Sequence, residues 1–135
     1  MTTFRISEAA TLLGVSPDTV RRWVDAGRLT ARRDEHGHRM VAGTDLAAFA
    51  RARIETGDGS VSSARNRLSG IVTDVLKDSV MAQVEIAAGP YRVVSLMSRQ
   101  AADEMGLEVG KVAVAVIKST NVVVEVPDHL RTAAQ

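Results

Sequence analysis

The chain contains no cysteine. That excludes disulfides, thiolate metal centres and cysteine nucleophiles, and it suits a reducing compartment. Aromatic residues are scarce, at 3% of 135 residues, so any core must be built from Val, Leu, Ile, Ala and Met. Long hydrophobic runs are also missing. No stretch approaches the ~18 apolar residues of a membrane span, and residues 1–7 lack the apolar segment of a secretory signal. The expected location is cytoplasmic, with no membrane contact. The net charge is only +1, but the basic residues are unevenly distributed. All nine before Gly59 are Arg, and every Lys lies later. Six Arg fall between residues 21 and 39, against Asp25, Asp34 and Glu35. Arg suits planar, two-point contacts to phosphate or guanine, although an Arg-rich coding bias gives the same count.

Two domains are expected, in an α+β arrangement. Residues 1–54 are helical in pattern, and residues 55–62 are Gly/Ser-rich and read as a linker. Residues 63–127 are strand-like, and residues 128–135 form a loose tail. In the first part, Ile6, Ala9, Ala10 and Leu13 recur at helical spacing, with Ser7 as the expected cap and Gly14 as the stop. Ser16, Pro17 and Asp18 open a second helix whose inward face is Val20, Trp23 and Val24. A short hairpin turns around Gly37, and a third helix starts at Gly43. The second part alternates like strands at Leu68–Leu76, Val80–Ile86, Tyr91–Met97, Val112–Ile117 and Val122–Val126, with a short helix capped by Ser98. Five strands and one helix predict a small OB-like β-barrel.

A helix, a tight turn and a capped helix with exposed Thr and Arg form a helix-turn-helix, whose second helix can lie in the major groove of DNA. Residues Arg5–Ala10, Leu13–Ser16, Thr19–Trp23 and Gly27–Leu29, followed by Gly37-His38-Arg39-Met40, resemble the winged helix-turn-helix of MerR-type and excisionase-type proteins. The resemblance implies a double-stranded DNA partner, met by Ser16, Thr19, Arg21, Arg22 and Arg28, with His38 and Arg39 on the wing. It places Trp23 in the core. The long dimerising helix of full MerR regulators is not in this chain.

A doubly charged oxyanion needs cations, hydroxyls and N–H groups to replace its water. Ser63-Ala64-Arg65-Asn66 offers one set of donors, and Lys118-Ser119-Thr120 offers another. They converge if the first and last strands of the barrel are neighbours. Read alone, the two segments are also a polar strand entry and a turn. Together with Leu68–Val72 and Gly106–Val112, they resemble the Mop (molbindin) domain across residues 62–127. The resemblance implies molybdate or tungstate bound between subunits by Ser63, Arg65, Lys118 and Ser119. Ala64, Asn66 and Thr120 are further candidates, and Ser98 takes the place of a helix-capping hydroxyl. Ala101 stands where some relatives carry a second hydroxyl.

A helix-turn-helix head before a Mop domain resembles the ModE regulators. The expected function is a molybdate- or tungstate-responsive DNA-binding regulator, working as a homo-oligomer, dimer or hexamer, through the Mop domain. Two other readings fit the residues: an oxyanion storage protein whose head makes protein contacts, and a DNA-binding protein whose barrel only oligomerises. No catalytic centre is expected, because His36, His38 and His129 have no nucleophile–carboxylate set around them. His36 and His38 fall on one side of a strand, and a solvated hairpin is expected there rather than a metal site.

Overall fold

The computed structural model describes residues 2–54 and 61–127; most of the expected linker and all of the expected tail lie outside these. The chain divides into two compact units, each treated separately below.

In the first unit, β1 (Thr3–Arg5) leads into α1 (Ile6–Leu13), α2 (Pro17–Asp25), β2 (Arg32–Arg33), β3 (Arg39–Ala42) and α3 (Gly43–Arg53). The three strands form one antiparallel sheet in the order β1-β3-β2. α1 is capped at Arg5, two residues before the expected cap at Ser7, because the Glu8 carboxylate accepts from the Arg5 backbone N–H at 2.9 Å and satisfies that end of the helix. Ser7 is inside the helix, and its carbonyl accepts from Thr11 Oγ1. Gly14 closes α1 at φ +70°, the left-handed conformation that Gly adopts without a Cβ penalty. Ser16 caps α2 as expected, with Pro17 at its first position. Ile6, Ala9, Ala10, Val20, Leu29, Val41 and Leu46 form the core, and Trp23 packs against it. Trp23 meets Phe49 at 4.9 Å, and the Arg53 guanidinium lies 4.6 Å over its ring.

The second unit holds β4 (Asn66–Lys77), β5 (Met81–Ala88), β6 (Tyr91–Ser98), α4 (Arg99–Glu104) and β7 (Val112–Ile117). They form a curled antiparallel sheet of four strands in the order β6-β5-β4-β7. The strict alternation of β5 puts Ala82, Val84, Ile86 and Ala88 inside. Val72, Val84 and Ile86 make the centre of a small core, joined by Val75, Val93, Met97, Leu107, Ala113 and Ala115. The pairing of β4 with β5 shifts at Thr73, between Val72 and Asp74, and such a bulge bends the strand. Val72 turns to the opposite side, donating to the Lys111 carbonyl and accepting from Gly110 N–H, both at 2.9 Å. Ser98 caps α4 by accepting from Ala101 N–H at 3.1 Å.

The fifth strand expected over Val122–Val126 is not formed. A strand exists by pairing, and alternation in sequence reports compatibility with a partner, not its presence. Val122, Val123, Val124 and Val126 are instead exposed. Val122 and Val123 belong to a larger set of exposed apolar residues in this unit, including Leu96, Met105, Val112, Val114 and Val116.

Two consequences can be measured. A Cβ on Gly70 would stand 2.2 Å from the Ala87 carbonyl oxygen, so Gly70→Ala must push β4 and β5 apart. It should cost about 3 kcal/mol in urea unfolding. The Asp78 carboxylate accepts from Met81 and Val80 N–H, and these bonds hold its pKa below the ordinary 3.8. Asp103 is lowered by Lys77. A carboxyl lowered on folding stabilises above its unfolded pKa and loses that contribution as pH falls through the folded value. Stability should therefore fall as pH drops below 3.8. Asp78→Asn should flatten part of that acid limb, read as a smaller change in urea midpoint between neutral and acid pH.

Candidate functional site

The strand order determines where the polar segments of the second unit meet. β4 and β7 are adjacent and antiparallel, and the last registered pair is Asn66 opposite Ile117. Arg65 and Lys118 each lie one residue beyond that pair, at the same end of the two strands. Ser63-Ala64-Arg65 enters β4, and Lys118 leaves β7 into a single 3₁₀ turn, Ser119–Asn121. That turn is closed by Asn121 N–H donating to the Lys118 carbonyl at 2.9 Å. The Asn66 side-chain amide donates to the Ile117 carbonyl at 3.1 Å and holds the two strands together where they open.

The donors there are exposed and little used. Ser63, Arg65, Lys118, Ser119 and Thr120 all face solvent. Arg65 Nη1 donates to the Ser62 carbonyl at 2.8 Å, which leaves most of its guanidinium N–H groups available. Neither Arg65 nor Lys118 forms an ion pair with a described carboxylate, and the side chains of Lys118, Ser119 and Thr120 bond to no other described residue. Two like charges on facing ends of neighbouring strands are unfavourable unless an anion lies between or near them.

Three of the expected residues have other duties in the single chain. Asn66 is a clamp between β4 and β7. The Ala64 N–H donates to Ser62 Oγ at 3.1 Å. Ser98 pairs with Met81 at the other end of β4, next to Lys77, and its hydroxyl caps α4. The register therefore puts the segments Ser63–Arg65 and Lys118–Thr120 at one end of β4 and β7, and Ser98 at the other end of the sheet.

The first unit carries a second cationic region. Ser16 and Thr19 bond each other at the start of α2, at 2.9 Å between hydroxyls. Arg22 donates to Thr19 Oγ1 at 3.2 Å, and Arg21 is paired with Asp18 at 2.6 Å. α2 thus presents guanidiniums already tied to its own turn. A cavity of about 420 Å³ lies between the start of α1, α2 and the β2–β3 hairpin. Arg5, Ser7, Arg21, Arg33, His38 and Arg39 line it, with Asp25 as the acid among them. Arg21, His38 and Arg39 are among the expected DNA contacts. Arg5 and Arg33 are not among those contacts, because only the pairing of β3 with both β1 and β2 brings them alongside. Arg28, in the turn after α2, does not line this cavity. Asp34 orders the hairpin tip. It accepts from His38 and His36 N–H at 2.9 Å each, and these bonds lower its pKa. His36 and His38 stay exposed, with ring centres 6.4 Å apart.

The two units match two family models: a helix-turn-helix domain over residues 3–54 and a TOBE domain over residues 62–124. The fold and its two cationic regions thus define a helix-turn-helix head joined to a TOBE domain. A probable molybdenum-pterin-binding protein of Haemophilus influenzae is 48% identical over 65 residues, covering 47% of this chain and 94% of that protein. Through its second unit, the chain belongs to this TOBE-domain family of molybdenum-pterin-binding proteins. The solved structure of MopII from Clostridium pasteurianum is 38% identical, with a TM-score of 0.45, covering 50% of this chain and all of that one. The head is 43% identical over 52 residues to the type II methyltransferase M.Eco47II of Escherichia coli. That match takes in 38% of this chain but only 12% of the methyltransferase.

Because the donors are exposed, Arg65→Ala and Lys118→Ala should leave the stability of the ligand-free chain within about 0.5 kcal/mol. Urea unfolding of each variant beside the parent checks this, and any loss of anion binding can then be assigned to the donors themselves.

Proposed function

We propose that the chain is a molybdate- or tungstate-responsive DNA-binding regulator. The observation that carries this reading is that Arg65 and Lys118 continue β4 and β7 at the same end of the pair, with Ser63 just before Arg65 in the chain and Ser119 and Thr120 just after Lys118. Cations without a carboxylate partner among the described residues, beside exposed hydroxyls, suit a tetrahedral dianion, because charge-assisted bonds supply most of the donors it loses with its water. The names of the relatives point to a molybdenum ligand, and tungstate has nearly the same size and charge. The head supplies the other half of the reading. α2 would be the recognition helix in the major groove, and the β2–β3 hairpin would be the wing, with Arg21, His38 and Arg39 against DNA phosphates.

The candidate donors are exposed in the single chain, and many apolar residues of the second unit are exposed as well. Both features fit a homo-oligomer in which further copies cover that surface and complete a five-stranded barrel. Ser98, remote from the other donors in its own chain, would then reach an anion bound by a second copy. An anion held between subunits stabilises one assembly, which sets the spacing of the DNA-reading helices. Binding of anion and of DNA are then linked, and the effect of each on the other is reciprocal. The proposed role is non-enzymatic and cytoplasmic.

A second reading, oxyanion storage, is favoured by one observation. The Haemophilus relative consists almost wholly of the second unit, so that unit stands without a DNA-binding head there. Fluorescence anisotropy with a DNA duplex selected by the chain from a random pool separates the readings. A regulator should change its DNA affinity about 5- to 150-fold on adding molybdate, and Arg22→Ala should weaken DNA binding. No DNA affinity at moderate salt, with molybdate still bound, would favour storage.

A further inference from the structure

One acid sits in the cationic groove of the head. Arg5, Arg21, Arg33 and Arg39 converge there, and Asp25 stands among them at the last position of α2. Electrostatics alone would remove it, since each carboxylate facing DNA opposes the phosphates. Its geometry gives it another role. Asp25 Oδ1 accepts from Arg39 Nη1 at 2.9 Å, across 14 residues of sequence, and so ties the end of α2 to the first residue of β3. Arg39 is the less exposed partner, at 34% against 63% for Asp25. It pairs with Arg33 across the hairpin, and Arg33 in turn donates to the Gly37 carbonyl at 2.6 Å. The tip beyond is held by Asp34. The hairpin is therefore ordered within itself, and the Asp25–Arg39 pair connects it to α2. One bond uses one of the five guanidinium N–H groups of Arg39 and leaves the others for a phosphate.

We propose that Asp25 is a positioning residue for DNA recognition: through Arg39 it sets the spacing between α2 and the β2–β3 hairpin, so that helix and hairpin meet the duplex together. The inference rests on the DNA-binding reading above. It opposes the simple charge argument in sign, which makes it testable. If Asp25 is only a negative charge near DNA, removing it tightens binding to every duplex. If it positions Arg39, removing it weakens binding to the preferred duplex and leaves a random duplex equal or slightly better.

The test compares the full chain with Asp25→Asn, Asp25→Glu, Arg39→Ala and the Asp25→Asn/Arg39→Ala double variant. Anisotropy is read on a duplex selected from a random pool and on a short random duplex. Asp25→Asn should lose about fivefold on the selected duplex, the upper range for an exposed ion pair. It should lose nothing further in the Arg39→Ala background, and Asp25→Glu should restore most of the loss. Amide exchange over residues 32–40 of the DNA-free chain should quicken in Asp25→Asn. Equal or tighter binding by Asp25→Asn, the same loss without Arg39, or unchanged exchange would each overturn the proposal. If the parent chain binds no duplex, the DNA-binding reading fails instead, and the exchange measurement still decides whether Asp25 fastens the hairpin.

Discussion

Antiparallel pairing of β4 with β7 is the constraint on which the second unit depends. It joins segments 51 residues apart in sequence, Asn66 and Ile117 being the outermost registered pair. Without it, Arg65 and Lys118 would be two ordinary surface cations. With it, they extend from the same end of neighbouring strands, and the 3₁₀ turn adds two hydroxyls beside them. Register is strongly specified because a slip of one residue would turn Ala113 and Ala115 away from the core and Val114 and Val116 towards it. The apolar packing that stabilises the sheet therefore also determines which polar residues face one another.

That sheet is built around a small core. Val72, Val84 and Ile86 are its buried centre, while long apolar side chains on β6, β7 and the following segment remain exposed. Natural surfaces rarely leave so much apolar area uncovered without a partner. The head contrasts with this. Its core takes contributions from all three helices and from β3, and Arg21, Arg22 and Arg39 are held by bonds to Asp18, Thr19 and Asp25. In the proposed DNA-binding role, ordering the guanidiniums beforehand would lower the conformational entropy lost on binding.

Much of this was legible in the sequence, for reasons that differ by element. Ser16-Pro17-Asp18 is a local signal and marked the start of α2 correctly. The alternation of Ala82, Val84 and Ile86 marked β5, because each residue reports its own face. Ser7 misled, since the reciprocal bond between Arg5 N–H and Glu8 is as good a start to a helix as a hydroxyl cap. β1 was missed, because three residues carry no period and exist as a strand only through β3. The fifth strand over Val122–Val126 was expected from a pattern that states a preference but supplies no partner. Arg65, Lys118 and the hydroxyls are candidates by residue type alone, whereas the clamp role of Asn66 and the remoteness of Ser98 depend on register. Arg5 and Arg33 escaped notice for the same reason, as pairing across three strands is what places them beside Arg39.

The central claim is that these facing donors hold a tetrahedral molybdenum or tungsten oxyanion. A thermal-shift titration of the full chain with molybdate, tungstate, sulfate and phosphate tests it most directly. A ligand that binds only the folded state adds about 2.7 kcal/mol at a hundredfold excess over its dissociation constant. The account predicts a rise in melting temperature with molybdate or tungstate, little or none with sulfate or phosphate, and its loss in Lys118→Ala. No shift with any of the four anions would contradict it and leave the second unit as an assembly module for the head.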